Sequence, residues 1–136
     1  MNTTTKFVII DPKPWDYLGL AVDRNDGRVQ LHLLPTGADA LSFASQVAGA
    51  VWLINTRLPD MSGVELFGML RSSVSGAAVV MVSDQYSVQD ELQVMSLGSA
   101  TYACKPLETL TFRSLVAAAQ YAANPSDLHE ENRMVA

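Results

Sequence analysis

Four polar residues close four short apolar runs in this chain of 136 residues. Asp11 follows the run Phe7 to Ile10, Asn55 follows Val51 to Ile54, Ser83 follows Ala78 to Val82, and Lys105 follows Thr101 to Cys104. Brought to one rim, they would offer a carboxylate, an amide, a hydroxyl and an ammonium, equipment for handling an anionic group or a divalent cation. The charge balance disfavours the cation. One carboxylate opposed by one ammonium sums to about zero, and magnesium surrenders its waters only to carboxylates, so magnesium binding is expected to be weak or absent. A structural reading stands beside the chemical one. Asp11 and Lys105 could form an ion pair, with Lys105 also donating to the Asn55 amide oxygen, and Ser83 could simply bond locally in a loop. The sequence contains no Ser-His-Asp, Cys-His or metal-ligand cluster at workable spacing. It also has no GxGxxG or P-loop, and the segment DPKPWDY lacks the Gly-rich or Ser/Thr-rich turn that would cradle a flavin phosphate. An enzyme is not expected.

Positioning those four groups together is the task of the intervening segments. The apolar runs, with Val29 to Leu34 as a fifth, are too short for helices and rich in β-branched residues, so they read as strands. Between them the period becomes helical: Trp15, Leu18 and Val22 fall at i, i+3, i+7, and Val88, Leu92 and Met95 at i, i+4, i+7. Thr36 is a candidate N-cap, Ser62 and Glu65 have capping-box spacing, and Gly98 stands where a helix C-cap belongs. Strands that alternate with single helices imply parallel pairing. The expected fold is therefore α/β: a doubly wound, five-stranded parallel sheet of flavodoxin-like (βα)5 type. The second strand alternates Val29, Leu31 and Leu33 with Arg28, Gln30 and His32, as an edge strand does, which favours the order 2-1-3-4-5. In such sheets ligands bind beyond the carboxyl ends of the strands, where the four polar residues lie. One domain is expected over residues 1–123, followed by a polar tail or the start of a linker over 124–136.

Composition narrows the function. Apolar residues make up 49% and charged residues 17%, and the net charge of −5 has the wrong sign for tracking phosphate backbones, so direct nucleic-acid binding is not expected. The single cysteine, Cys104, excludes an intramolecular disulfide and reads as a buried, inert thiol. No apolar run approaches the length of a membrane span and no signal-peptide pattern opens the chain, so a soluble, cytoplasmic protein without membrane contact is expected. His32 and His129 read as solvated, and Arg57 and Asp60 as exposed loop charges.

In order and spacing, FVIID, LINTRLPDMSGVEL, VVMVSD and YACKP resemble the receiver domain of bacterial two-component response regulators, over residues 6 to about 122. The resemblance implies an acidic pocket at Asp11, a phosphoacceptor position at residue 55, a switch hydroxyl at Ser83, a switch aromatic at Tyr102 and the family's lysine at Lys105. Two departures stand out. The phosphoacceptor aspartate is replaced by Asn55, whose amide cannot form an acyl phosphate by this route, and the second acid of the pocket is replaced by Pro12. Asp84 adds bulk and negative charge beside the rim. The expectation is a non-enzymatic pseudo-receiver without cofactor that works by protein–protein contact. Its partner would be a histidine kinase, an attached or separate output domain, or a second copy. The alternative is a conventional phosphorylation-dependent regulator whose phosphoacceptor is substituted at Asn55. The resemblance places the partner face on the helix after the fourth strand, the fifth strand and the last helix, with Gln89, Gln93, Tyr102 and Phe112.

Overall fold

The computed structural model describes residues 4–17, 28–46, 50–73, 77–108, 113, 114 and 117. Five strands form the sheet: β1 (Thr4–Ile10), β2 (Arg28–Leu34), β3 (Val51–Asn55), β4 (Ala78–Ser83) and β5 (Ala100–Cys104). All pairings are parallel and the order is β2-β1-β3-β4-β5, as the alternation in β2 implied. Among the described residues, three α-helices lie between strands: α1 (Gly37–Phe43), α2 (Gly63–Leu70) and α3 (Val88–Leu97). The segment after β1 enters a 3-10 turn over Pro14–Tyr17, and Leu18 and Val22 of the expected first stripe fall outside the described residues. Phe112, His129 and the expected tail at 124–136 also fall outside them, while residues 113, 114 and 117 are helical.

The sheet is packed on both faces. On one, Val8, Ile10, Trp52, Ile54, Val79 and Met81 meet Ala40, Leu66, Phe67, Leu70 and Val94 from the helices. On the other, Phe7, Ile9, Leu53, Val80 and Val82 meet Tyr17, with Leu107 packed against them. Every residue of β3 and β4 is buried, which is why these two strands carry almost unbroken apolar sequence. The edge strand β5 is only half-buried apart from Ala103, and Cys104 is partly exposed rather than buried.

The helices start and stop where their caps dictate. Thr36, Ser62 and Ser87 accept from the backbone N–H groups of Asp39, Glu65 and Asp90 at 3.1, 3.1 and 3.2 Å. Gly98 ends α3 at φ 78°, a left-handed conformation suited to glycine, and its N–H donates to the Met95 carbonyl. The stripe read from Val88, Leu92 and Met95 locates α3 correctly but faces outward: these side chains are 57%, 60% and 66% exposed. The inner face instead carries Asp90, Val94 and Leu97, because its first turn makes polar contacts with the strand ends.

One close approach fixes the loop after β3. The Gly63 N–H donates to the Thr56 carbonyl at 2.9 Å, so α2 begins against the end of β3. A Cβ at Gly63 would press into the Asn55 carbonyl oxygen and lie 2.9 Å from the Thr56 Cα, both backbone atoms that cannot yield. Gly63→Ala is expected to destabilise the protein by about 2–3 kcal/mol, measured by urea unfolding.

Candidate functional site

The parallel ladder runs one residue past the strands and delivers the polar residues to a common rim. The Asp11 N–H donates to the Leu34 carbonyl at 3.0 Å, Thr56 to Val82 at 2.8 Å, and Lys105 to Ser83 at 2.9 Å. Asp11, Asn55 and Ser83 are buried there, and the Lys105 side chain is 10% exposed.

Lys105 is surrounded by carboxylates. Its Nζ lies 3.0 Å from Asp11 Oδ2, 2.8 Å from Asp16 Oδ2 and 2.9 Å from Asp84 Oδ1. An ammonium has three protons, and the three aspartates take all of them. Lys105 also sits 5.3 Å from the centre of the Tyr17 ring. The Tyr17 hydroxyl donates to Asp11 Oδ2 at 2.6 Å, and the Lys13 N–H donates to Asp11 Oδ1 at 2.8 Å.

Asn55 is equally committed. Its Nδ2 donates to Asp11 Oδ2 at 2.9 Å and to Asp84 Oδ1 at 3.0 Å, while its Oδ1 accepts from the Arg57 N–H at 2.8 Å. The expected Lys105 donation to the amide oxygen is therefore corrected. The carbonyl end of Asn55 faces Arg57, and Asn55 meets the lysine's carboxylates rather than the lysine. The expected charge balance changes too, since Asp16 and Asp84 join Asp11 while Lys13 stands 3.9 Å from Asp84, leaving a formal excess of one negative charge. Pro12 supplies neither a carboxylate nor an N–H, so the first available donor to Asp11 comes from Lys13.

Magnesium does not fit this donor set. The position among the three carboxylates that a cation would take is held by the Lys105 ammonium, and both Asp11 oxygens already accept from protein donors. Among the described residues no group of three His, Cys, Asp or Glu side chains is arranged to hold a metal ion.

Ser83 does not join this cluster. It belongs to a second network with Asp90, whose Oδ2 lies 3.2 Å from Ser83 Oγ and 3.1 Å from Thr56 Oγ1. Ser83 Oγ is also 2.8 Å from the Tyr102 hydroxyl, which accepts from the Ser87 N–H at 3.1 Å. One proton ordering satisfies every member: Tyr102 donates to Ser83, and Ser83 and Thr56 both donate to Asp90. Tyr102 is thus held at half-burial by both ends of the loop between β4 and α3. Arg57 approaches Asp90 only at 3.9 Å with its side chain 77% exposed, a contact of little energetic weight. Gln89 and Gln93 are exposed on α3.

Four contributors were not assigned a role from sequence. Asp16 and Tyr17 lie five and six residues after Asp11, and only the Pro14–Tyr17 turn brings them back to it. Asp90 is one acid among several on a helix. Asp60 is exposed, as expected, yet its carboxylate accepts from the Gly37 and Ala38 N–H groups, both at 2.9 Å, tying the β3–α2 loop to α1. Those two bonds hold its pKa below the ordinary carboxylate value. His32, read as solvated, is half-buried with its ring 4.9 Å from that of Phe43.

No family model matches the chain. The transcriptional regulatory protein KdpE of Mycobacterium tuberculosis (strain CDC 1551 / Oshkosh) is 30% identical over 102 residues, which is 75% of this chain and 45% of that protein. The chain thus spans less than half the length of this curated relative. A CheY-like response regulator receiver domain from Methanospirillum hungatei JF-1 superposes with a TM-score of 0.76 at 16% identity, covering 91% of this chain and 99% of that one. The receiver domain of a putative LuxO repressor from Vibrio parahaemolyticus gives 0.74 at 19%, covering 94% and 98%. At such identities the superpositions establish the fold alone.

The titration of the cluster follows from its contacts. Burial, and then the bond to Asp11, push the Tyr17 hydroxyl far above the ordinary phenol value. Burial opposes the charge on Lys105, but the bonds to Asp16, Asp84 and Asp11 outweigh it and hold the ammonium above its ordinary value. Both folded values are raised, so their stabilisation is complete below the unfolded values near 10 and is lost as pH rises through the folded ones. In an alkaline titration, one of the four tyrosines is expected to ionise only as the protein unfolds, and Tyr17→Phe to abolish that step at a cost of about 1 kcal/mol. Ionisation of all four in the folded protein would contradict the assignment.

Proposed function

From the premise of a response-regulator receiver domain, which the homologues and structural neighbours support, we propose that this chain is an atypical receiver that signals without phosphorylation at residue 55. The side chain at that position carries the reading. It is an amide, its two protons are committed to Asp11 and Asp84, and its oxygen is committed to Arg57. Phosphoryl transfer needs an in-line nucleophile and positive charge free to meet the moving phosphoryl group. An amide is no such nucleophile, and the three protons of Lys105 are already spent. The domain acts by protein–protein contact rather than catalysis, in the cytoplasm, over residues 1–123, with 124–136 as tail or linker. It engages a histidine kinase, an output domain or a second copy. The exposed side of α3, with Gln89 and Gln93 beside the apolar stripe, and Tyr102 behind it, form the described part of the contact face. Phe112, assigned to the same face, lies outside the described residues.

Exposure to a small acyl phosphate with magnesium, read by intact mass, tests this. The wild-type chain is expected to gain no phosphoryl adduct. Asn55→Asp is expected to gain little, because a carboxylate at 55 meets Asp11 and Asp84 with no donor between them. A labelled wild type overturns the reading. Robust labelling of the variant alone instead favours a conventional regulator with a substituted phosphoacceptor.

A further inference from the structure

Asp84 differs from the other carboxylates of the cluster. Asp11 is fully buried and directly follows β1, whereas the Asp84 side chain is 48% exposed and opens the loop that leads from β4 to α3. Nevertheless its Oδ1 sits between two donors of the rim, 2.9 Å from Lys105 Nζ and 3.0 Å from Asn55 Nδ2. Two cavities flank it. One, of about 470 Å³, is lined by Lys13, Asp16, Asp84, Lys105 and Leu107 among others. The other, of about 410 Å³, is lined by Lys13, Asn55, Arg57, Ser83 and Asp84 among others. Asp84 lines both, as do Lys13 and Gln85, and of these three it alone bonds both Lys105 and Asn55. Without it, an ammonium proton and an amide proton would point into the space it vacates, with the Lys13 ammonium, now 3.9 Å from Asp84 Oδ2, at the mouth.

We propose that Asp84 is a tethered anion: its carboxylate fills an oxyanion site formed by Lys105 and Asn55, and by doing so latches the β4–α3 loop in one position. The latch has a mechanical route outward. The residue before Asp84 is Ser83, bonded to Tyr102 and Asp90, and the loop ends at Ser87, whose N–H is bonded to Tyr102. Asp84 thus fixes one end of a four-residue connection whose other end caps α3. An external oxyanion such as inorganic phosphate must compete with a carboxylate that is tethered in place and already bonded to both donors. Asp16, the other partly exposed partner of Lys105, makes no bond to Asn55 and lines only the first of the two cavities, so it does not fill the same place.

The inference deepens the phosphorylation-independent reading and rests on it, and its test involves no phosphoryl transfer. Amide and side-chain NMR spectra of the wild-type protein, Asp84→Ala and Asp84→Asn would be recorded during titration with inorganic phosphate. Asp84→Ala is expected to shift the Asn55 side-chain amide and the Ser87 and Tyr102 signals before any phosphate is added. It should then bind phosphate at least about tenfold more tightly than the wild type, with saturable shifts at Asn55 and Lys105. Asp84→Asn keeps an oxygen in the same place and remains informative if the alanine variant fails to fold. It is expected to shift the Asn55 side-chain amide, hold the loop signals near wild type and stay closed to phosphate. The proposal is overturned if Asp84→Ala leaves Asn55, Ser87 and Tyr102 unmoved, if the wild type binds phosphate at this rim as well as the alanine variant does, or if Asp84→Asn leaves the Asn55 amide unmoved. Failure here removes the latch alone, whereas a phosphoryl adduct on the wild-type chain removes the reading beneath it.

Discussion

The ammonium of Lys105, set among three aspartates, is the interaction on which the rim depends. It joins parts of the chain that are otherwise independent: Asp11 at the end of β1, Asp16 in the turn that follows, and Asp84 at the end of β4. These contacts are unequal. Asp11 has no exposed side-chain surface, and stranding such a buried charge by removing its partner typically costs about 3–5 kcal/mol. Asp16 and Asp84 are 34% and 48% exposed, so their share of the attraction is weakened by solvent. The deep pair fixes the site, and the outer two carboxylates position the loops around it.

The unusual residues of the rim make sense together. A carboxylate at position 55 would add a fourth acid to a site with a single buried ammonium, and each neighbour would lose a donor. The amide reverses this, since Nδ2 bridges Asp11 and Asp84. Pro12 is consistent with the same economy: with no second acid beside Asp11, a single lysine, one amide, one phenol and one backbone N–H satisfy the carboxylate completely. Among the described residues no buried side-chain nitrogen or oxygen is left without a partner.

Most of the fold was legible in the sequence, because it rests on local signals. Apolar runs marked the strands, the polar alternation of β2 marked the edge, and Thr36, Ser62 and Gly98 marked helix ends through bonds within one or two turns. The convergence of Asp11, Asn55, Ser83 and Lys105 was legible through a topological rule, since strand ends in a parallel sheet share one side. The partners of these residues were not. Asp16 and Tyr17 depend on how a short turn folds back, Asp60 reaches a helix 22 residues earlier in sequence, and the orientation of the Asn55 amide depends on a neighbouring backbone N–H. None of these contacts leaves a periodic trace.

The outward stripe of α3 has the same origin and a functional consequence. Helical spacing identifies a face but not its direction, and an apolar face is normally assigned to the core because burial rewards it. In α3 the inner face is claimed by Asp90, which accepts from Thr56 and Ser83 and so anchors the first turn to the ends of β3 and β4. Once that turn is fixed, the helical repeat carries Val94 inward and leaves Val88, Leu92 and Met95 in solvent, with Tyr86 exposed just ahead of them. Polar anchoring within and apolar exposure without are therefore one geometric choice. A receiver that signals by contact, as proposed for this chain, gains from that choice a recognition face whose orientation is set by the rim itself, through Ser83, Tyr102 and the loop that joins them to the helix.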